Sequence, residues 1–165
     1  MAHKGIYIED DDKNIYVVQS LFSQEGFDIV PLPRLPQNIE ELYPLILQQD
    51  ADFLLIDHQL NKKVSYTGYD ALQEIRRHDS TIYAVLLTTF KVEDFKEEFG
   101  LYDLEVNKDQ LNDDTKLGEI SEKIRRACVR ATDADALAYA KESRKFAEDS
   151  LQILREIHQK VSKAP

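Results

Sequence analysis

The chain has 165 residues and a formal net charge of −10 at pH 7, which suits one domain with a short extension. The negative charge argues against direct nucleic-acid binding, because that binding depends on Lys and Arg neutralising phosphates. One cysteine cannot form an intramolecular disulfide, and no apolar run reaches the ~18 to 20 residues of a membrane span or resembles a targeting sequence, so we expect a cytoplasmic protein without membrane contact.

The first half of the sequence alternates short apolar runs with segments of helical periodicity. The predicted elements are, in order, a strand at Gly5–Ile8, a helix at Asn14–Gln24, a strand at Phe27–Val30, a helix at Ile39–Gln49 and a strand at Asp52–Asp57. Gly26 is expected to end the first helix, and Pro44 to bend the second. The run Phe53–Ile56 has no polar side chain, which is typical of a strand buried on both faces of a parallel sheet.

The second half continues the same alternation. Its predicted elements are a helix at Gly68–His78, a strand at Ile82–Leu87, a helix at Lys91–Phe99, a strand at Tyr102–Val106 and a helix whose inner face carries Leu117, Ile120, Ile124 and Cys128. Alternating strands and helices over residues 5–130 predict an α/β fold, a doubly wound five-stranded parallel sheet with right-handed crossovers. In that register Cys128 is expected to be a small core residue rather than a nucleophile.

Charged and hydroxyl side chains follow four of the predicted strands. Glu9 and Asp10 come after the first, Asp57 after the third, Thr88 after the fourth and Lys108 after the fifth. The carboxyl ends of parallel strands meet at one edge of a sheet, where ligands bind. Carboxylates ~4 Å apart repel by roughly 4 kcal/mol at an effective dielectric near 20, so this edge needs a cation. Mg²⁺ fits, because it prefers carboxylate, water and phosphate oxygens.

These residues, in this order, make residues 4–130 resemble a response-regulator receiver domain. No single residue carries the resemblance; the set at the ends of successive strands does. The resemblance implies a flavodoxin-like fold and a role in two-component signalling, with a sensor histidine kinase or a phosphotransfer protein as the phosphoryl donor. It further implies that the protein catalyses only its own phosphoryl transfer and dephosphorylation, and is not otherwise an enzyme.

The resemblance also implies a role for each site residue. Asp57 would accept the phosphoryl group from a phosphohistidine. The Mg²⁺ ligands would be Glu9, Asp10, Asp57 and the backbone carbonyl of Gln59. Lys108 would pair with phosphoryl oxygens, and Thr88 would move to hydrogen-bond the phosphoryl group. Phosphoryl transfer depends mainly on positioning and cationic stabilisation, which such a set can supply.

Some positions depart from the family pattern or have a simpler explanation. Glu105 stands where the family has an aromatic residue, and Asp109 follows the lysine where the family has a proline in a cis bond. Strand alternation points His58 away from Asp57, so we expect it to pack or lie at the surface. Asp11 and Asp12 are expected to cap the first helix, where its dipole favours negative charge.

The receiver is predicted to span residues 1–130, and residues 131–165 to form a helical extension. Its apolar positions follow a 3,4 spacing, through Leu137, Ala140, Arg144, Ala147, Leu151, Leu154, His158 and Val161. We expect this helix to form a homodimer or to dock a partner. It could continue the preceding helix, because no Gly or Pro lies between Gly118 and Pro165; if the two helices are separate, the break is expected at Thr132–Asp133. The helix could instead fold back onto its own receiver.

Two other functions remain open at the level of sequence. One is a binding module that keeps the receiver fold but works without phosphorylation; the intact set of site residues argues against it. The other is a small Mg²⁺-dependent phosphohydrolase. Asp57 is followed by His58-Gln59, without the second carboxylate two residues on that haloacid-dehalogenase-type phosphatases use as a general acid, which argues against this second function.

Overall fold

The computed structural model of the chain describes residues 2–60, 62–89 and 100–163, and for residues 132–141 and 143 it describes the backbone alone. The chain divides into two compact units, Met1–Cys128 and Val129–Pro165. The first unit contains a five-stranded sheet in which all neighbouring strands are parallel. The predicted doubly wound α/β fold with an extra C-terminal helix is confirmed. The functional division after residue 130 stays a prediction.

The sheet places its most apolar strand in the middle. The strands are β1 Lys4–Ile8, β2 Asp28–Pro31, β3 Phe53–Asp57, β4 Tyr83–Thr88 and β5 Leu104–Asn107, in the spatial order β2-β1-β3-β4-β5. All residues of β3 are buried, as its apolar sequence predicted. Ile8 pairs with Ile56, and Asp57 pairs with Leu87. The residues that follow these strands therefore reach the same edge of the sheet.

Helices cover both faces of the sheet. They are α1 Asp12–Gln24, α2 Leu42–Leu47, α3 Gly68–His78 and α4 Asp114–Ser162. Residues of α1 and of the first turns of α4 pack on one face, and those of α2 and α3 on the other. The predicted helix Lys91–Phe99 lies outside the described residues. None of the described helices combines the length and the apolar character that crossing a membrane requires.

The two ends of α1 are closed by side-chain and backbone hydrogen bonds. Asp11 is the N-cap, and its carboxylate accepts a bond from the backbone N–H of Lys13 at 2.9 Å, so its predicted capping role is confirmed. This cap starts the helix two residues earlier than its apolar pattern predicted. At the other end Gly26 has φ +84° and donates to the Ser23 carbonyl at 3.1 Å, a left-handed turn that glycine allows.

The second helix is shorter than predicted because of a proline. The predicted helix Ile39–Gln49 is observed as a 3-10 turn at Ile39–Glu41 followed by α2. Pro44 lacks an N–H, and its ring would crowd the carbonyl four residues earlier in an α-helix, so the chain before it takes the tighter turn. Leu42 and Ile46 are still buried against the sheet.

The last helix of the receiver continues into the predicted extension. The backbone of α4 is helical through Thr132–Asp133, so the continuous helix is observed and the alternative, a break at these residues, is not. No Gly or Pro follows Gly118 before the C-terminal Pro165, and Thr or Asp in a helix costs only a fraction of ~1 kcal/mol relative to Ala. Cys128 is buried against the sheet, and burial raises the pKa of its thiol to about 11. Its predicted packing role is confirmed.

The first residue of α3 packs against the backbone of Asp57. A Cβ at Gly68 would overlap the Asp57 carbonyl oxygen and lie 2.9 Å from the His58 Cα, whereas a Cβ at Gly118 would meet no atom. We predict that Gly68→Ala destabilises the protein by about 1–3 kcal/mol through overpacking. Gly118→Ala, inside a helix, should stabilise it by roughly 0.5–1 kcal/mol. Urea unfolding measures both; equal stability of Gly68→Ala and the wild type would contradict this packing.

Candidate functional site

A cleft of about 200 Å³ lies at the carboxyl edge of the sheet. It is lined by Glu9, Asp10, Asn14, Asp57, Gln59, Lys62, Thr89 and Lys108. Five of the six residues predicted from the sequence therefore line one cleft, and the sixth, Thr88, does not. The three carboxylates come from the ends of β1 and β3, two neighbouring strands whose residues are almost all buried. These carboxylates converge because β1 and β3 are parallel neighbours, so the residues at their carboxyl ends reach the same edge of the sheet.

Lys108 is the cation at the centre of the carboxylates. Its ammonium Nζ donates to Asp57 Oδ2 at 2.9 Å and to Glu9 Oε2 at 3.4 Å. The carboxylate side chains are almost fully buried, and 20% of the Lys108 side chain is exposed. Buried carboxylates without a counter-charge would be costly, so this contact is the main local compensation. It leaves more negative than positive charge in the cleft.

Glu9 is fixed by neighbours from its own strand and from α1. Its Oε1 accepts bonds from the backbone N–H groups of Asp10 at 2.8 Å and Asp11 at 3.1 Å. Its Oε2 accepts bonds from the Tyr7 hydroxyl at 3.1 Å and the Asn14 side-chain amide at 3.2 Å. Both oxygens are thus oriented before any ligand binds. The carboxylate is positioned by the start of α1, where the helix dipole also favours it.

Crowding of the carboxylates shifts their proton affinities. Burial raises the pKa of Glu9 above its ordinary value, and the hydrogen bond with the Asp57 carboxyl raises it further. Burial is also the main cause that raises the pKa of Asp10, and its hydrogen bond with Glu9 is the second cause. The pKa of the Tyr7 hydroxyl is raised by burial and by the nearby Glu9 charge, so Tyr7 stays a donor. Burial is the first cause of all three shifts, and the neighbouring carboxylates add to it.

Thr89, and not Thr88, is among the residues that line the cleft. Thr88, the last residue of β4, is 1% exposed and pairs in register with Asn107. The sequence pattern selected Thr88 because it directly follows the apolar run, and its predicted role stays a prediction. Two consecutive threonines cannot be distinguished by an apolar pattern alone. Gln59 lies in the cleft two residues beyond Asp57, as predicted.

Lys62 is a cleft residue that the sequence did not reveal. Its backbone N–H donates to Asp10 Oδ2 at 2.9 Å, and its ammonium donates to Asp11 Oδ2 at 3.1 Å. The loop after β3 is therefore attached to the carboxylates that follow β1. The side chain of Lys62 is 71% exposed, so the ion pair itself adds little stability. The polar run around Lys62 gave no signal, because a loop conformation decides which residue reaches the cleft.

The positions that depart from the family pattern form their own contacts. His58 packs edge-to-face on Tyr69 with ring centroids 4.8 Å apart, and burial lowers its pKa, so its predicted packing role is confirmed. Glu105 accepts a hydrogen bond from the Tyr102 hydroxyl at 2.9 Å. The described backbone contains no cis peptide bond, so the bond between Lys108 and Asp109 is trans.

The donor set of the cleft fits Mg²⁺. Its candidate ligands are hard oxygen atoms from buried carboxylates and from the Gln59 backbone, with no thiol or imidazole. Within the described ranges, no group of three or more His, Cys, Asp or Glu side chains is arranged to hold a metal ion by itself. Mg²⁺ does not need one, because one or two carboxylates with water and phosphate oxygens complete its shell. The excess negative charge of the cleft would also attract the Mg²⁺ cation.

Solved structures with similar folds are receiver domains. A CheY-like response-regulator receiver domain from Methylobacillus flagellatus matches with 19% identity and a TM-score of 0.59, over 75% of this chain and 99% of that one. TrrA from Thermotoga maritima, solved with Mg²⁺ and beryllofluoride, matches with 18% identity and a TM-score of 0.59, over 76% and 98%. TrrA was also solved in complex with the histidine kinase ThkA.

A third similar structure is the receiver domain of the sensor histidine kinase PA1611 from Pseudomonas aeruginosa, with a magnesium ion in its active-site cleft. It shares 17% identity and a TM-score of 0.59, over 78% of this chain and 98% of that one. No family model matches the sequence, and no curated protein matches it either. The chain has the fold of response-regulator receiver domains, and the resemblance seen in the sequence is confirmed at that level.

The raised pKa of Asp10 predicts a pH-dependent gain on neutralising it. A carboxyl whose pKa is raised by folding contributes stability below its ordinary pKa, here 3.8, and this is lost as pH rises through the folded pKa. At pH 7 the ionised Asp10 therefore destabilises the fold. We predict that Asp10→Asn unfolds roughly a few degrees higher than the wild type at pH 7 without divalent ions. The difference should shrink toward pH 4.

The matched control is Asp12→Asn, at an exposed residue in the first turn of α1. It loses a favourable interaction with the helix dipole, so its midpoint should be unchanged or lower. Adding Mg²⁺ should raise the midpoint of the wild type more than that of Asp10→Asn. A lower midpoint for Asp10→Asn at pH 7, or a difference that grows toward pH 4, would show that carboxylate repulsion is not the dominant effect.

Proposed function

We propose that the protein is a response-regulator receiver that accepts a phosphoryl group on Asp57 in a Mg²⁺-dependent reaction. The observation that carries the proposal is the contact of Lys108 Nζ with Asp57 Oδ2 at 2.9 Å, beside two further buried carboxylates. A cation beside the acceptor carboxylate can stabilise the charge that develops on the phosphoryl oxygens, which is a main catalytic need of phosphoryl transfer. The receiver fold supports this assignment.

The proposed reaction needs little covalent help from the protein. One oxygen of the Asp57 carboxylate forms a bond to phosphorus while the phosphorus–nitrogen bond of a donor phosphohistidine breaks. The imidazole leaves with its electron pair and a proton from solvent or the donor. Lys108 holds the acceptor carboxylate in place and attracts the phosphoryl oxygens, on which charge accumulates. Asp57 needs only to be ionised and in line.

Glu9, Asp10, Asp57 and the Gln59 backbone carbonyl would hold Mg²⁺. When bound, the ion neutralises phosphoryl oxygens and orients them for transfer. The other contacts of the site are made by the chain itself. Tyr7 and Asn14 hold Glu9, and the backbone N–H of Lys62 holds Asp10. These bonds keep the carboxylates from turning away from the cleft as the charge in it changes.

The phosphoryl group would act as a local switch. It adds charge and strong acceptor oxygens to the cleft. Thr88 is the last residue of β4, and Thr89 lines the cleft. We propose that Thr88 moves to donate to the phosphoryl oxygens, as the family resemblance implies. In the family an aromatic residue moves together with the threonine. Glu105 occupies that position and accepts a hydrogen bond from Tyr102, so this aromatic movement would not take place at residue 105.

The proposed partners are a phosphoryl donor and a second copy of the chain. The donor would be a sensor histidine kinase or a phosphotransfer protein, and the reaction would take place in the cytoplasm. The output would be contact with another protein. The exposed apolar side chains on the last turns of α4 support self-association through this helix.

Phosphorylation is tested by intact mass. Incubation with Mg²⁺ and acetyl phosphate or phosphoramidate should add one phosphoryl group to the wild type and none to Asp57→Asn. The matched control is Asp52→Asn, the same change next to the opposite end of β3, which should react like the wild type. If the wild type gains no mass while an ordinary receiver does, the phosphorylation-independent binding module becomes the better account.

Self-association is tested by sedimentation equilibrium on the full chain. The wild type should be a dimer at micromolar concentration, and Leu151→Glu with Leu154→Glu should be a monomer, because charge enters the apolar face. Gln152→Glu with Gln159→Glu adds the same charge on the opposite face of α4 and should leave the dimer intact. A monomeric wild type, or a dimer that survives the leucine substitutions, excludes this helix as the interface.

A further inference from the structure

The last turns of α4 present an apolar face that no described residue covers. Leu151 is 50% exposed, Leu154 62% and Val161 68%. Phe146, Ile153 and Ile157 widen this face on one flank and are exposed as well. A helix of this kind is stable in water only with a partner along its apolar stripe. The polar side chains within this apolar stripe and the charged side chains on its flank restrict which partner fits and whether it runs parallel or antiparallel to α4.

The stripe has a regular seam with two polar interruptions. The α4 seam is defined here as the residues at 3,4 spacing, namely Arg144, Ala147, Leu151, Leu154, His158 and Val161. In a parallel pair in register, each seam residue faces its own counterpart. Arg144 would then face the Arg144 of the second copy inside the seam. Like charges in a desolvated seam are strongly unfavourable, so a parallel pairing is disfavoured.

An antiparallel pairing removes this conflict. If two copies pair about the midpoint between Leu151 and Leu154, Leu151 of one copy faces Leu154 of the other, and the reverse contact follows by symmetry. The small Ala147 then faces the larger His158, which leaves room for the ring. Arg144 faces Val161, close to the end of α4 at Ser162, where a long side chain can extend its guanidinium into water.

The charges that flank the seam favour the same direction. Glu148 and Arg155 each follow a seam residue directly. They lie on one side of the seam, and the apolar residues Phe146, Ile153 and Ile157 lie on the other side. Antiparallel pairing places Glu148 beside the Arg155 of the second copy, and symmetry repeats this contact. In a parallel pairing Arg155 would lie beside Ser150 instead. Among the described residues neither Glu148 nor Arg155 forms an ion pair within its own chain.

We propose that residues 144–161 of α4 pair with the same residues of a second copy in antiparallel orientation, centred between Leu151 and Leu154. The partner surface is thus the chain's own seam, with Glu148 and Arg155 selecting its direction. The inference deepens the proposed self-association and rests on it. It does not depend on phosphorylation of Asp57, which the mass measurement tests separately.

Charge reversal on the full chain tests the direction. Glu148→Lys and Arg155→Glu should each weaken the dimer about tenfold in sedimentation equilibrium, because two attractive contacts become repulsive. The double substitution restores opposite charges and should recover the wild-type dissociation constant. Lys145→Glu, a matched charge reversal on the outer face, should have no effect. Single variants that dimerise like the wild type, or a double variant as weak as the singles, would overturn the antiparallel pairing.

Cysteine cross-linking gives an independent readout. A chain carrying both Ala147→Cys and His158→Cys should form disulfide-linked dimers under mild oxidation, because these positions face each other across the antiparallel pair. Ala147→Cys alone should stay unlinked, and the natural Cys128 is buried and should not react. Efficient linkage by Ala147→Cys alone would show a parallel pair. A chain that sediments as a monomer would reject self-association itself, whatever the result at Asp57.

Discussion

Repulsion among three buried carboxylates is the constraint on which this site depends. Glu9, Asp10 and Asp57 line one cleft and are each 4% exposed. Lys108 offsets part of the repulsion through its contacts with Asp57 and Glu9. Burial raises the pKa values of Glu9 and Asp10, and the neighbouring carboxylates raise them further. A site with this unbalanced charge favours whatever brings a cation to it, which is the physical basis of the proposed Mg²⁺ dependence.

The sheet makes this unfavourable arrangement possible. Lys108 lies 51 positions from Asp57 and 99 from Glu9 in the sequence, so only the completed sheet brings the three together. The buried strands β1, β3 and β4 supply the apolar contacts that stabilise the fold while their carboxyl ends carry the charges. Stability therefore resides in the strands, and function resides in the residues directly after them.

This division explains what the sequence could and could not predict. Apolar runs predicted all five strands to within two residues at each end, and the polar residues after them predicted most of the cleft. Lys62 was missed because the conformation of a polar loop decides that its backbone reaches Asp10. Thr89 was missed because an apolar pattern cannot rank two consecutive threonines.

The helices were also predicted with unequal success. Gly68 begins α3 as predicted, where a capping pair and an apolar face agree. The second helix lost its first turn to the crowding that Pro44 imposes, which a count of apolar spacings ignores. A break at Thr132–Asp133 was the alternative to a continuous helix. It would have relied on two weak helix formers, whose small cost is less than the cooperative stabilisation of the surrounding helix.

The most direct test of the central claim is the thermal unfolding midpoint with Mg²⁺ and beryllofluoride together, compared with each alone. If Asp57, Lys108 and the metal carboxylates act as one phosphoryl site, the combination should raise the midpoint by more than the sum of the separate shifts. Asp57→Asn should lose that excess and keep at most the shift from Mg²⁺. A combined shift that is only additive in the wild type, or equal in Asp57→Asn, would contradict the account.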